Sequence, residues 1–213
     1  VSIPAEEFIH ESVDFTVTFD NTGTDIGYAP FFDLIVPADL TGVTTGTMFG
    51  GQVSQPLTEV AIWDGTQWLD GATPVTIHPY DDPSNPVIPL PVLTADDVGA
   101  VWNIYDLPFG SYTPDQLPGE VTFTALINSA AGAQVGVLSD IMARGGFRLG
   151  EDALNNPDVD PPLVEAAFNT GEVTPIVLTL EKTNSAPEGE IATGENYPYT
   201  CLLYTSPSPR DIG

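Results

Sequence analysis

Val13, Phe15, Val17 and Phe19 alternate with Asp14, Thr16, Thr18 and Asp20. A period of two puts the apolar set on one face of an extended segment and the polar set on the other, so residues 13–19 predict a half-buried strand. Asp20-Asn21-Thr22-Gly23 follows, and such residues close strands with turns. Residues 31–36 are a second apolar run, stopped by Pro37. Residues 60–63 predict a third strand that leads into Asp64-Gly65, with Trp68 and Leu69 beyond. Asp-Gly between strand-like flanks is a hairpin signal. Residues 101–107, 121–127, 141–149 (interrupted by Gly145-Gly146) and 174–181 complete the series.

Between 73 and 93 the chain carries Pro79, Pro83, Pro86, Pro89 and Pro91. Proline cannot donate to a ladder, so this stretch predicts a long connection, with one edge strand at 75–77. Helix is confined to short turns at 94–98 and 163–168. Seven to nine short strands separated by Gly, Pro, Asn and Asp predict an all-β fold. An elaborated immunoglobulin-like β-sandwich is the expectation, with a barrel as the alternative. The sandwich is assigned to residues 1–180. Residues 181–200 read as a linker, or as the first strand of a truncated second module.

Charge narrows the partners. The chain of 213 residues has 30 acidic and 4 basic side chains, a formal net charge of −26. Phosphate binding needs clustered Lys and Arg, so nucleic acid is excluded as an expected partner. No stretch approaches the roughly twenty apolar residues of a membrane-spanning helix. The chain opens at Val1 with neither an initiator Met nor a signal peptide, and it reads as a fragment. Its single cysteine, Cys201, begins a segment running to Asp211 that resembles a translated transposase-type sequencing adapter. Residues 201–213 are therefore expected to be non-native, a product of metagenomic assembly.

Candidate chemistry is sparse. His10 and His78 are the only histidines, without metal-ligand spacing, and read as surface or turn residues. No Gly-x-Ser-x-Gly elbow or phosphate-cradling loop is present, and an enzyme is not expected. Calcium takes oxygen ligands from loop Asp, Asn and carbonyl groups. Two loops could supply them: Asp20, Asn21 and Asp25, and Asn155, Asn156, Asp158 and Asp160. No cofactor is required on this reading, with calcium the one candidate. Trp63 and Trp68, with Trp102, could offer aromatic faces to a sugar, although large aromatics more often pack inside. Arg144 and Arg148 are four apart on one strand and are expected to pair with carboxylates.

The stretch Val13-Asp14-Phe15-Thr16-Val17-Thr18-Phe19-Asp20-Asn21-Thr22-Gly23, followed by Phe32-Asp33-Leu34-Ile35-Val36-Pro37-Ala38-Asp39-Leu40, resembles a bacterial surface-repeat family, the domain of unknown function numbered eleven. Its Asn-x-Gly corner suits positive φ, and its Pro-x-x-Leu end closes a strand. Leu180-Glu181-Lys182-Thr183 and Pro187-Glu188-Gly189-Glu190 resemble the opening of another such repeat, or of the related isopeptide-forming fimbrial repeats. The resemblance implies immunoglobulin-like sandwiches in tandem on large secreted or cell-surface proteins, with neighbouring repeats as partners and a structural or adhesive role. It also implies that Lys182 occupies the position of an isopeptide lysine whose partner is not in this chain. Residues 1–181 contain no lysine, so a lysine crosslink within them is excluded. The alternative is a calcium-assisted domain binding a surface glycan or a protein.

Overall fold

A computed structural model describes residues 1–150, 161–165, 167–184 and 199–206. The alternating segment is the strand Ser12–Phe19, with Val13, Phe15, Val17 and Phe19 buried. It pairs antiparallel with Gly119–Ile127, whose Val121, Phe123, Ala125 and Ile127 are buried on the same face. Thr45–Met48 and Val53–Pro56 extend this smaller sheet on its other side.

The larger sheet runs in the order Glu6–Phe8, Asn169–Asn184, Ser139–Phe147, Pro30–Val36, Val101–Asp106, Thr58–Trp63, Trp68–Asp70 and Thr73–Pro74. Phe32, Leu34, Val36, Tyr105, Ile141 and Ala143 project from it into one core shared with the smaller sheet. The protein is thus an all-β sandwich. Aromatic rings bridge the layers: Phe32 stacks on Tyr105 at 5.1 Å and meets Phe123 edge-on at 6.0 Å. Each fully buried side chain of this size contributes about 1.5–3 kcal/mol relative to exposure.

The larger sheet is also covered on its outer face. Ile35, Ala61, Trp63, Trp68, Ala100 and Trp102 form a second cluster, with Leu90 and Leu93 of the Pro-rich connection packed against it. Pro30–Val36 is therefore buried at every position. A strand covered on both faces loses the polar alternation that a half-buried strand shows.

Several expectations need correction. The edge strand after Trp68–Asp70 is Thr73–Pro74, not 75–77. Gly145-Gly146 does not interrupt Ser139–Phe147, because its ladder to Pro30–Val36 continues through both glycines. Among the described residues of 163–168 no helical turn forms: Leu163–Val164 pairs with the end of Ser139–Phe147. A short 3-10 turn occurs instead at Ser129–Ala131, capped by the Asn128 side chain. The final long strand is Asn169–Asn184, longer than the 174–181 of the pattern, and Tyr199–Ser206 pairs back on it from Val177 to Asn184. Residues 181–184 thus continue that strand, and part of the adapter-like segment joins the hairpin.

The opening residues touch both sheets. Ser2 exchanges two backbone hydrogen bonds of 2.8 Å with Thr16 of the smaller sheet. Glu6–Phe8 then pairs parallel with Thr174–Ile176 of the larger one. The ladder between Asn169–Asn184 and Ser139–Phe147 ends at Val173 opposite Ser139.

Candidate functional site

Asp33 is the one charged residue in the doubly covered strand Pro30–Val36, and its side chain has no exposed surface. The pleat aims it at the outer cluster, between Phe31 and Ile35 on the same face. Its Oδ2 accepts a hydrogen bond from Arg144 Nε at 2.7 Å. Its Oδ1 accepts from Trp102 Nε1 at 2.9 Å and from His78 Nε2 at 3.0 Å. The His78 tautomer follows from its other nitrogen. Nδ1 accepts the Tyr80 backbone N–H at 3.1 Å, so Nε2 carries the proton in the neutral ring. Burial pushes the Asp33 carboxyl up, but the His78 hydrogen bond and the Arg144 charge outweigh it and hold the group below its ordinary value.

Rings of Phe31, Tyr80 and Trp102 surround His78 with centroids 5.4–5.8 Å away. The second arm of Arg144 reaches the cover: Nη2 donates to the Pro89 carbonyl at 2.6 Å, and the guanidinium lies over the Phe168 ring at 4.7 Å. Among the described residues no buried side-chain nitrogen or oxygen lacks a partner. Chemically, the cluster ties strand, neighbouring strand and cover together. The histidine opens a turn, its carbonyl accepting the Asp81 N–H at 3.0 Å, but it is enclosed and not at the surface. His10 is the exposed one, held at positive φ with Nε2 3.2 Å from Ser129 Oγ.

The tryptophans serve the same cover. Trp68 Nε1 donates to Pro91 O at 2.7 Å, and Trp63 Nε1 donates to Thr94 O at 2.7 Å. Trp63 is 7% exposed and Trp68 2%. As folded, neither presents the open aromatic face that a sugar platform requires, because the Pro-rich connection lies over them. That connection has its own knot. The Asp81 carboxylate accepts from the Val87 and Ile88 backbone N–H groups at 2.7–2.9 Å. Outside it, Tyr80 donates to both oxygens of Asp106 at 2.7 and 2.8 Å, with Arg148 over its ring at 4.9 Å. Burial, then the Asp106 carboxylate, pushes the Tyr80 hydroxyl up to about 12.

In the first calcium candidate the Asn21 side chain is already engaged within the chain. Asn21 is buried, and its Nδ2 donates to Asp25 O and Tyr112 O at 2.9 and 2.8 Å, while Oδ1 accepts the Gly23 N–H at 3.0 Å. Its side chain therefore closes the corner by itself, and Gly23 does not adopt positive φ. Asp25 turns to the Thr24 hydroxyl at 2.8 Å. Among the described residues no group of three or more His, Cys, Asp or Glu converges to hold a metal. Asn155, Asp158 and Asp160 lie outside the described residues. Lys182 stands opposite Cys201 in the final hairpin. Among the described residues no helix is long and apolar enough to cross a membrane.

Sequence reasoning anticipated a carboxylate partner for Arg144 but not its identity, nor the burial of His78. Two signals pointed there. An Asp inside an otherwise apolar strand needs a buried partner, and a chain with so few cations leaves Arg144 as one of very few to supply it.

The chain matches no protein-family model and no curated protein. Among solved structures it is similar to one described as "AvmM Catalyzes Macrocyclization in Alchivemycin A Biosynthesis", with a TM-score of 0.46 and 12% identity, covering 82% of this chain and 85% of that one. At that level the likeness assigns neither chemistry nor substrate to this chain.

Proposed function

We propose that this protein is a structural or adhesive module of a large secreted or cell-surface protein built from tandem repeats. The observation that carries the proposal is the parallel pairing of Glu6–Phe8 with Thr174–Ile176. Parallel strands bring the chain in at one pole of the sandwich and carry it along Asn169–Asn184 to the other, before Tyr199–Ser206 turns back beside it. A Cβ built on Gly171 would lie 2.7 Å from Val1, which puts the amino terminus at the pole where the long strand begins. The strand then runs past Ser139 to the opposite pole. Modules joined through such poles extend in a line, with neighbouring repeats as their partners. The buried Asp33 cluster supports the same role, since it fastens a cover to a sheet and stiffens the module.

The test is height above a surface. One, two and four copies placed between a membrane anchor and an epitope on a cell are expected to raise the epitope by equal steps, measured by super-resolution localisation. An epitope height that does not change with copy number would contradict the proposal.

A further inference from the structure

A groove of about 590 Å³ opens on the outer side of the sandwich. Its walls come from three segments: residues 37–39 after Pro30–Val36, residues within 92–98 at the end of the Pro-rich connection, and residues 131–132 and 137–140 ahead of and entering Ser139–Phe147. Ile35, Ala100 and Met142 make an apolar floor. Its volume is on the scale of sites that take a small ligand or a few side chains, about 300–1,000 Å³.

Two properties of this groove go together. Its rim leaves Val92, Val98, Val137 and Leu138 exposed, Val92 at 88%. Four aliphatic side chains around one concavity form a patch, not the scattered exposure that any surface shows. Carboxylates of Asp39, Asp96, Asp97 and Asp140 line the same concavity. Asp140 stands directly opposite Glu172 across the ladder, a like-charge pair that is unfavourable at that spacing. Burial, then Glu172, Asp97 and Asp39, raise the Asp140 carboxyl above its ordinary value, so these carboxylates feel one another. Arg144 and Arg148 cannot relieve them, being engaged with Asp33 and with the Tyr80 ring.

We propose that this groove docks an extended polypeptide segment carrying both aliphatic and Lys or Arg side chains. Charge complementarity selects that partner. Thr94 already hydrogen-bonds Asp97 and Ser139 hydrogen-bonds Asp39, but neither donor carries charge. An inorganic cation would offset the negative charge and leave the aliphatic rim in water, whereas an uncharged apolar segment would leave that charge unopposed. A second copy of this chain, at a net charge of −26, is repelled. Long cationic side chains lay their methylene stems along apolar surface and place their heads at its edge, which is the geometry this rim offers. The inference goes beyond the spacer role and does not depend on it, because one isolated module carries the whole groove.

The experiment is titration calorimetry of the full chain with three synthetic peptides: acetyl-Val-Lys-Leu-Lys-Val-Lys-amide, its counterpart with Glu for Lys, and hexalysine. The first is expected to bind saturably with a negative heat-capacity change, and the glutamate peptide not at all. Asp97→Asn with Asp140→Asn, and separately Val137→Ser with Leu138→Ser, are each expected to weaken binding by about tenfold. In the unmodified protein, amide shifts on binding are expected at residues 92–98 and 137–140, which keeps the test independent of how the variants fold. Absence of saturable binding, hexalysine binding equally well, shifts elsewhere, or a response to calcium alone would overturn the proposal.

Discussion

Asp33 and Arg144 stand directly opposite each other across the ladder between Pro30–Val36 and Ser139–Phe147, and their side chains meet at 2.7 Å with neither exposed to solvent. Taking two charges out of water is costly, and only well-formed hydrogen bonds offset it. Here His78, Trp102 and the Pro89 carbonyl complete the set. The pair therefore does more than link two strands. It fixes where the Pro-rich cover sits on the sheet.

Arg144→Ala leaves that carboxylate buried and uncompensated. The expected cost is about 3–5 kcal/mol in chemical denaturation. Asp33→Leu combined with Arg144→Met is expected to cost less than the single change, because no charge is stranded. A double variant as unstable as Arg144→Ala would mean that the cluster contributes more than mutual neutralisation.

Acidity acts on two aspartates in opposite directions. The Asp33 carboxyl is held below its ordinary 3.8, so its stabilisation is complete above that value and is lost as pH falls through the lowered folded value. The Asp140 carboxyl is raised, so its charged form weakens the fold above the ordinary carboxylate range and protonation relieves it. Asp140→Asn is therefore expected to raise Tm at pH 7 and to leave it unchanged in acid below about pH 3, where both forms are neutral. Thermal scans at the two pH values read the difference.

Trp68→Phe keeps a ring in the outer cluster and removes the donor to Pro91 O. A buried carbonyl without its partner costs about 1–3 kcal/mol. Hydrogen exchange is expected to accelerate at residues 87–94, while the ladder between Ser12–Phe19 and Gly119–Ile127 keeps its protection. Uniform acceleration would show that the cover and sandwich open together.

Gly46 sits where the smaller sheet meets the core. A Cβ there would lie 2.6 Å from Phe123 and from Tyr105, whose hydroxyl donates to the Gly46 carbonyl at 3.3 Å. Gly46→Ala is expected to destabilise by about 1–3 kcal/mol through overpacking, measured by urea denaturation.

The half-buried parts of the fold were legible in the sequence. Val13 to Phe19 and Val121 to Ile127 alternate because only one face of their sheet is covered. The Asp64-Gly65 hairpin was legible too, with Trp63 paired to Trp68 and the Asp64 carboxylate accepting from Thr66 and Gln67. What periodicity could not convey was a third layer. A proline-rich connection carries no period, so nothing in it announces that it lies over Trp63, Trp68 and Trp102. The burial of His78 was hidden because its partner lies 45 positions away. The groove was equally hidden, since it joins three segments that are distant along the chain.

The most direct measurement is small-angle X-ray scattering from one copy of the chain and from two copies joined in series. If successive copies follow one another along the direction of Asn169–Asn184, the maximum dimension should grow by roughly 50 Å, about the span of that 16-residue strand at ~3.3 Å per residue. Two copies folding back on each other, with a maximum dimension close to that of one, would contradict it.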